Sequence, residues 1–500
     1  MFLILKMLVL FLLSYIALNL YLFWKRRQYR HIASFPIPIS LKWFMGHLPN
    51  LRMRINQAPE ENFMQIVGEY QKESGEETVV LALFTMNLVL TLDLRIIPKL
   101  LTDRITFHKR EILKQTLGWC GKTRAFGNHG LLSDPGGDVW AAKRRIMDPA
   151  FTRSFLRTTM DGMNKVAERL VKVLNTKAEC GQAFDISEFL DRAAFEAISF
   201  CGFNWSEEMA AEHGDAALKM ARVMVQLTAV VFKNPLSFKN PWGRLPEKEQ
   251  FKNAVQPIRD LSRKHLEKIG DKAVTENNVL SHIIRGNDCS DDLTMEDVID
   301  DYNVFLVAGM ETTSITMACA VWFISMNPHV YQKAQAEVKD VFGDRDQICF
   351  EDVQKLVYIE MIIKESLRLK GPAVGTTRQC QSHGTSINGV SFPKGTKFNV
   401  PYFNLHVDSR YWKDPEVFDP ERFSPASMKN IVPYTYMPFS TGPRNCIGKN
   451  FAILEMKVIL ANIFRKFVVV NATPQETDLM MLGNITIRPK NGVNVRIFTK

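Results

Sequence analysis

In the stretch FSTGPRNCIG, Phe439 to Gly448, a single cysteine shares a loop with two glycines, a proline and an arginine. A thiolate is a nucleophile and a soft ligand for a transition metal such as iron. Gly442 and Gly448 would let the backbone lie close to a flat bound group. The run KNFAILEMKVILANIF follows and reads as a helix, so backbone N–H groups and the helix dipole would favour charge on the Cys446 sulfur. Arg444 is placed to pair with a carboxylate of such a group. Taken alone, a cysteine of this kind is more often a buried structural residue.

Three more constellations carry chemistry. The run from Asp297 to Pro328 reads as a helix of about 30 residues that opens near Thr294 and stops at Asn327-Pro328. A glycine inside it, Gly309, costs roughly 1 kcal/mol against alanine and calls for a reason. Around it stand Ala308, Glu311 and Thr312, two small residues beside an acid and a hydroxyl, a set able to leave room for a small molecule and pass it protons. The bland alternative is a helix crossing with a hydroxyl bonded back one turn. In KESLRLKGP, Glu365 and Arg368 stand at i,i+3 on one helix face, a spacing that allows an ion pair. Trp140 and Arg144 lie one helical turn apart.

Phe-x-x-Gly-x-Arg-x-Cys-x-Gly is present at Phe439, Gly442, Arg444, Cys446 and Gly448, with Ala452 one turn further on. In this the chain resembles the cytochrome P-450 superfamily, and the likeness extends over Phe35 to about residue 490. It implies haem b, held through iron by Cys446. It identifies Ala308-Gly309-Met310-Glu311-Thr312-Thr313 as the oxygen-activation motif, with Ala308 and Gly309 leaving space for dioxygen, Thr312 holding water and Glu311 feeding protons. Glu365, Arg368 and Arg422 become a buried network that supports the cysteine loop. Trp140, Arg144, Arg378 and Arg444 are implied to hold the haem propionates. Lys143, Arg145 and Lys449 would face an acidic electron donor. Several stretches, RRIMDPAFTRSFL, LVAGMETTS, IIKESLRL and YMPFSTGPRNCIG, look most like the cholesterol 24-hydroxylase group, from which Lys370-Gly371 and Met310 depart.

The implied function is a monooxygenase that hydroxylates a lipophilic substrate, a sterol or another lipid, with O2 and with electrons from NADPH through an NADPH–haemoprotein reductase. A xenobiotic- or fatty-acid-oxidising member is the alternative. A reductase-independent isomerase or dehydratase acting on a peroxide is a further one, against which the Glu311-Thr312 pair argues. By analogy, the pocket draws on 107–132, 203–240, Ala308 to Thr313, Val374 to Thr377 and Leu479 to Thr486, with Phe107, Phe126, Met224, Phe232, Val374 and Met480 among them.

These groups need a large scaffold, and 500 residues of ordinary globular composition, 46% hydrophobic and 23% charged, supply one. The net charge of +10 comes without a basic, aromatic-interleaved tract, which speaks against nucleic acid and leaves an anionic membrane or an acidic partner open. Eight scattered cysteines form no CxxC pair, so a zinc site is not expected, and most should be buried small hydrophobes in a reducing compartment. Met7 to Trp24 is apolar and about long enough to span a bilayer, and Lys25, Arg26, Arg27 and Arg30 follow it. The basic cluster predicts a single-pass anchor in the endoplasmic reticulum membrane with the rest in the cytosol. Residues 1–24 are then the transmembrane helix, 25–45 a basic, Pro-containing linker and 46–500 the catalytic domain. Val230 to Pro246, rich in aromatics, Pro and Lys, is a candidate contact with membrane lipid. The fold class is mainly α with a small β lobe, in a single large domain. Thr78 to Asp93 reads as a buried hairpin, helical periodicity dominates 100 to 370, and strands return near 385–400 and 466–500.

Overall fold

The computed structural model describes residues 2–29, 31–34, 53, 63–83, 86–110, 119–120, 123–233, 246–270, 278–483 and 486–500. Phe35 to Pro38 and residues 234–245 lie outside them, as do the side chains of Met224 and Phe232. The architecture is mainly helical with small sheets, as the sequence predicts. By compactness the chain forms two units, described separately here.

The first unit comprises Met1–Arg110, Gly375–Leu405 and Thr441–Arg444. Its centre is a six-stranded sheet in the order Ala33–Ser34, Thr78–Leu83, Met86–Thr91, Lys397–Pro401, Gly375–Cys380 and Phe107–His108. Thr78–Leu83 and Met86–Thr91 pair antiparallel, with Thr78 opposite Thr91, as the expected hairpin. Val79 to Leu81 and Leu88 to Leu90 are all buried, so the central strands are covered on both faces. That explains why they read as unbroken apolar runs instead of alternating ones. Phe107 packs edge-on against Phe398. The helix Phe2–Arg27 leaves most of its described apolar side chains in the open, Phe11 at 73% exposure, and passes the length and composition test for a membrane span over Val9–Arg27. Part of the expected linker, 25–45, bonds to this sheet. The Tyr29 hydroxyl is 2.9 Å from Thr396 Oγ1, His31 Nε2 is 2.7 Å from the Ser391 carbonyl, and Ala33–Ser34 pairs with the sheet.

The second unit comprises Glu111–Val374, His406–Ser440 and Asn445–Lys500. Its axis is the helix Met295–Met326, opened by a Thr294–Asp297 capping box and ended by Asn327 before Pro328. This helix is also apolar and long enough to cross a membrane, yet 83% of its most apolar window is buried, which marks it as a core helix. Against it pack Ile186–Phe203, Val357–Lys370 and Lys449–Lys466. Three acids near its start are buried in ion pairs. Asp300 meets Arg124 and Arg259, each at 2.6 Å, Asp297 meets Arg124, and Asp301 meets Lys143. Small sheets complete the unit: Phe467–Asn471 with Asn494–Thr499 and Phe184–Asp185, and a C-terminal hairpin of Met481–Gly483 and Ile487–Pro489.

Two expectations are corrected here. Lys143 does not face outward: it is 1% exposed, its ammonium held by Asp301 and by the His129 carbonyl. Nor are most cysteines buried. Among the seven whose burial is described, Cys201, Cys319 and Cys380 are buried, Cys289 is partly covered, and Cys180, Cys349 and Cys446 are exposed. Burial pushes the Cys201 and Cys319 thiols up to about 12, so those two behave as small hydrophobes.

Candidate active site

The cysteine loop is shaped by its own backbone. Ser440 and Gly442 adopt φ of 58° and 73°, and Gly442–Arg444 forms a 3-10 turn. The Cys446 N–H then donates to the Phe439 carbonyl at 2.9 Å, closing the loop. The helix Lys449–Lys466 starts three residues after the cysteine, and its first turn includes the bond from Ala452 N–H to the Gly448 carbonyl at 2.8 Å. Gly442 has a reason other than a bound macrocycle: a Cβ there would lie 2.2 Å from the Leu101 carbonyl oxygen. Gly448 differs. Among the described residues only Phe151, at 3.9 Å, comes within 4 Å of where its Cβ would stand, so their packing does not require glycine at that position.

Arg144, on the helix Asp138–Met147, clamps this loop. Its Nη1 donates to the Asn445 carbonyl at 2.8 Å, Nη2 to Asn445 Oδ1 at 2.9 Å and Nε to Asp148 Oδ1 at 2.7 Å. Trp140, on the same helix, donates its indole N–H to the Leu131 carbonyl at 3.1 Å. Both residues were expected to reach a propionate, and these bonds fix where their helix stands against the loop. Asp148, at i+4 from Arg144, was legible as a pairing partner in the sequence. Asn445 was not, because nothing in its type distinguishes it within the loop.

Beneath the loop in sequence order lies the acid network. Arg368 donates to both oxygens of Glu365 at 2.7 Å, and both side chains are 0% exposed. Arg368 also donates to the carbonyls of His406, Pro415 and Val417, and its guanidinium lies 5.1 Å from the Trp412 ring centre. Arg422 Nε stands 3.4 Å from Glu365, and the Asp419 N–H donates to the same carboxyl oxygen. Burial raises the Glu365 carboxyl, while the two arginines and the Asp419 N–H pull it back toward the charged form. One ion pair thus ties the helix Val357–Lys370 to the segment 406–422. His406 continues the line by accepting the Met437 N–H at 2.9 Å, just before the cysteine loop.

The long helix presents the acid–hydroxyl turn. Ala308 is exposed and Gly309 and Thr312 partly so, in a helix otherwise buried through its middle. Gly309 turns a different way from the one expected: a Cβ there would come within 3.0 Å of Ile198 Cγ1, so it serves a close helix crossing, and the open side belongs to Ala308. The Thr312 hydroxyl donates to the Ala308 carbonyl at 2.8 Å, which leaves its oxygen free to accept from a bound molecule. Glu311 is 6% exposed, and burial pushes its carboxyl up to about 7 against the pull of Arg488 and of a hydrogen bond with Thr486. Next to it, Thr313 donates to Glu455 Oε1 at 3.1 Å, and burial pushes that carboxyl well above its usual range.

A flat iron cofactor with carboxylate arms needs a reachable thiolate, an open face beside it and cations for its arms. Cys446 is exposed at the loop end, Gly448 is open on the side where its Cβ would stand, and Ala308 breaks the burial of its helix. Arg378, on the strand Gly375–Cys380, is 1% exposed, and its Nη1 bonds Thr376 and the Thr377 carbonyl. Its Nη2 has no hydrogen-bond partner, and among the described residues no carboxylate pairs with it. A buried guanidinium left so is costly unless an anion meets it. Cys446, Gly448 and Ala308 suit an iron and a flat face, and Arg378, taken by itself, suits a propionate. Arg444 is partly exposed at the end of the 3-10 turn. Of the apolar residues expected near substrate, Phe126 and Val374 are buried and Met480 is 47% exposed. Lys370 is drawn off by Asp478 at 2.7 Å, and Met310 is buried.

A family model described as cytochrome P450 matches residues 36–494. Cytochrome P450 4V2 of Pongo abelii is 28% identical, over 94% of this chain and 91% of its own. The protein of the same name from Homo sapiens is 29% identical over 80% and 78%. Cytochrome P450 3A27 of Oncorhynchus mykiss is 27% identical over 72% of each chain.

Proposed function

Because the chain belongs to the cytochrome P450 family of haem-thiolate monooxygenases, we propose that it hydroxylates a lipophilic substrate, a sterol or another lipid, at the endoplasmic reticulum membrane. The helix Phe2–Arg27 is the anchor in this reading, and the basic residues after it keep the rest in the cytosol. Electrons come from NADPH through a membrane-bound flavoprotein reductase. Arg145 and Lys449 are both exposed and form the acidic partner's docking surface, with Lys143 excluded by its burial. The observation that carries the assignment is the exposed Cys446, at the end of a loop closed by its own backbone and clamped by Arg144.

Haem held by a thiolate supplies an iron that activates dioxygen, with the sulfur's electron donation favouring O–O cleavage. The residues around it do the rest. Cys446 would hold the iron through its sulfur, and the Arg144–Asn445 clamp holds its loop in one conformation. Arg378 and Arg444 bind the propionates. The Glu365–Arg368–Arg422 network keeps the segment 406–422 in place ahead of the loop. Glu311, poised near neutrality, carries a proton on its carboxyl toward the reacting side. Thr312, whose hydroxyl hydrogen is engaged with Ala308, would accept a hydrogen bond from a water that passes the proton on.

Reconstitution in vesicles with NADPH, the reductase and isotopically heavy dioxygen tests this reading. One heavy atom should enter the product and the other appear in water. Turnover with a peroxide but none with NADPH and reductase would instead favour an isomerase. Titration with sterols, fatty acids and xenobiotics for a spin-state change identifies the substrate class.

A further inference from the structure

The C-terminal hairpin brings a charge to the acid of the long helix. Ile487–Pro489 pairs with Met481–Gly483, and the hairpin is pinned by the bond from Ile487 N–H to the Pro372 carbonyl at 2.9 Å and by the Ala373–Thr486 bridge. Arg488 Nη2 donates to Asp191 Oδ2 at 2.8 Å, with Asp191 on the helix Ile186–Phe203. The other Asp191 oxygen accepts from Ser314 Oγ at 2.6 Å. Ser314 lies three residues past Glu311, so the ion pair is held against the turn that carries the acid. Glu311 Oε1 itself is buried and lacks a hydrogen-bond partner.

We propose that Arg488, fixed by Asp191, is a positioning residue that sets the charge state of Glu311, so that the C-terminal hairpin governs proton delivery. This rests on the monooxygenase reading above. The groups facing Glu311 are few. Arg488 and the Thr486 hydroxyl come from the hairpin and favour the carboxylate. Asp191, from the neighbouring helix, opposes it. On its own helix Ser314 is bonded to Asp191, and Glu455, bonded to Thr313 from the helix Lys449–Lys466, is pushed well above its usual range by burial. Asp185 lies within electrostatic reach of Arg488. The ion pair therefore acts on Glu311 with two opposed charges, and removing either end must move the acid in opposite directions. A salt bridge with a merely structural role would not do this.

The experiment uses the haem-loaded full chain and three variants, Arg488→Met, Asp191→Asn and Arg488→Lys. The infrared stretch of the protonated Glu311 carboxyl, assigned by its loss in Glu311→Gln, is titrated with pH. Its midpoint should rise by about one unit or more in Arg488→Met, fall in Asp191→Asn and stay near that of the parent in Arg488→Lys. The pH profile of oxygen consumption should move with it. Midpoints that stay put, or that move the same way in Arg488→Met and Asp191→Asn, overturn the proposal. The infrared readout does not depend on the iron: a parent protein without a thiolate-haem spectrum would overturn the monooxygenase reading and leave these midpoints to decide this one.

Discussion

Glu311 shows how burial turns an ordinary acid into a usable one. Its carboxyl, raised from 4.5 to about 7, is protonated below neutrality and ionises as the pH rises through that value. If it donates protons, turnover should fall on the alkaline side of about pH 7, and Glu311→Gln should remove that limb while raising the share of oxygen lost as peroxide or water. Product yield per oxygen consumed measures both. The acid itself was legible in the sequence from Ala308 to Thr313. Its tuning was not, because Asp191 and Arg488 stand 297 positions apart and neither belongs to a recognisable pattern. Arg144 is a similar case. Its type and its turn from Trp140 suggested a propionate, while the folded chain uses it on Asn445, a partner 301 residues away. Arg144→Leu should leave the fold intact and loosen the loop, seen as faster haem loss to an apo-globin acceptor. Unchanged loss would mean that the clamp is idle.

The elements were read more easily than their reasons. The helix Met295–Met326 was visible from its cap, its apolar length and its terminal Asn-Pro, but which helix its glycine would meet was not. Gly309 costs roughly 1 kcal/mol in helix propensity and is retained by Ile198 at the crossing. Gly309→Val should therefore destabilise by about 1–3 kcal/mol, and Ile198→Ala in the same chain should recover part of it, as measured by thermal unfolding. The ion pair of Glu365 and Arg368 was equally plain at i,i+3, whereas its burial depends on segments 406–422 that only the fold assembles. Glu365→Ala leaves Arg368 buried without its partner, at a cost of about 3–5 kcal/mol, and the protein should be recovered without haem. Normal haem content in that variant would sink the supporting role. Lys143 gives the opposite lesson. Beside a suspected docking face it looked like a surface cation, and the three acids spaced along Asp297 to Asp301 were the sequence signal that some cation had to be buried against them.

Among the described residues, burial lowers the imidazoles of His265, His282 and His406, two of them far below their usual range. His265 lies at about 4 and His406 at about 3, while His282 is lowered less strongly. His265 Nδ1 is 2.8 Å from the Tyr302 hydroxyl, which also accepts the Trp205 indole N–H, so the phenol donates to a neutral ring. As pH falls below 6.5, the unfolded chain takes up protons that the folded imidazole refuses, so stability declines and levels off near pH 4. The loss from His265 alone is on the order of 3 kcal/mol, and His265→Gln should flatten the acid arm of a denaturant-midpoint curve. The mainly helical class and the hairpin were legible because hydrophobic periodicity survives in a chain this long. The docking of Tyr29, His31 and Ala33–Ser34 onto the sheet was not, because one hydroxyl, one imidazole and two strand residues leave no pattern. The central claim concerns the thiol with which the chain's chemistry begins, and the absorption spectrum of the reduced, carbon-monoxide-bound protein tests it most directly. The parent should give the strongly red-shifted Soret band of a thiolate-ligated haem, and Cys446→His should lose that band while keeping its fold. A parent without the band, or a Cys446→His protein that retains it, would contradict the account.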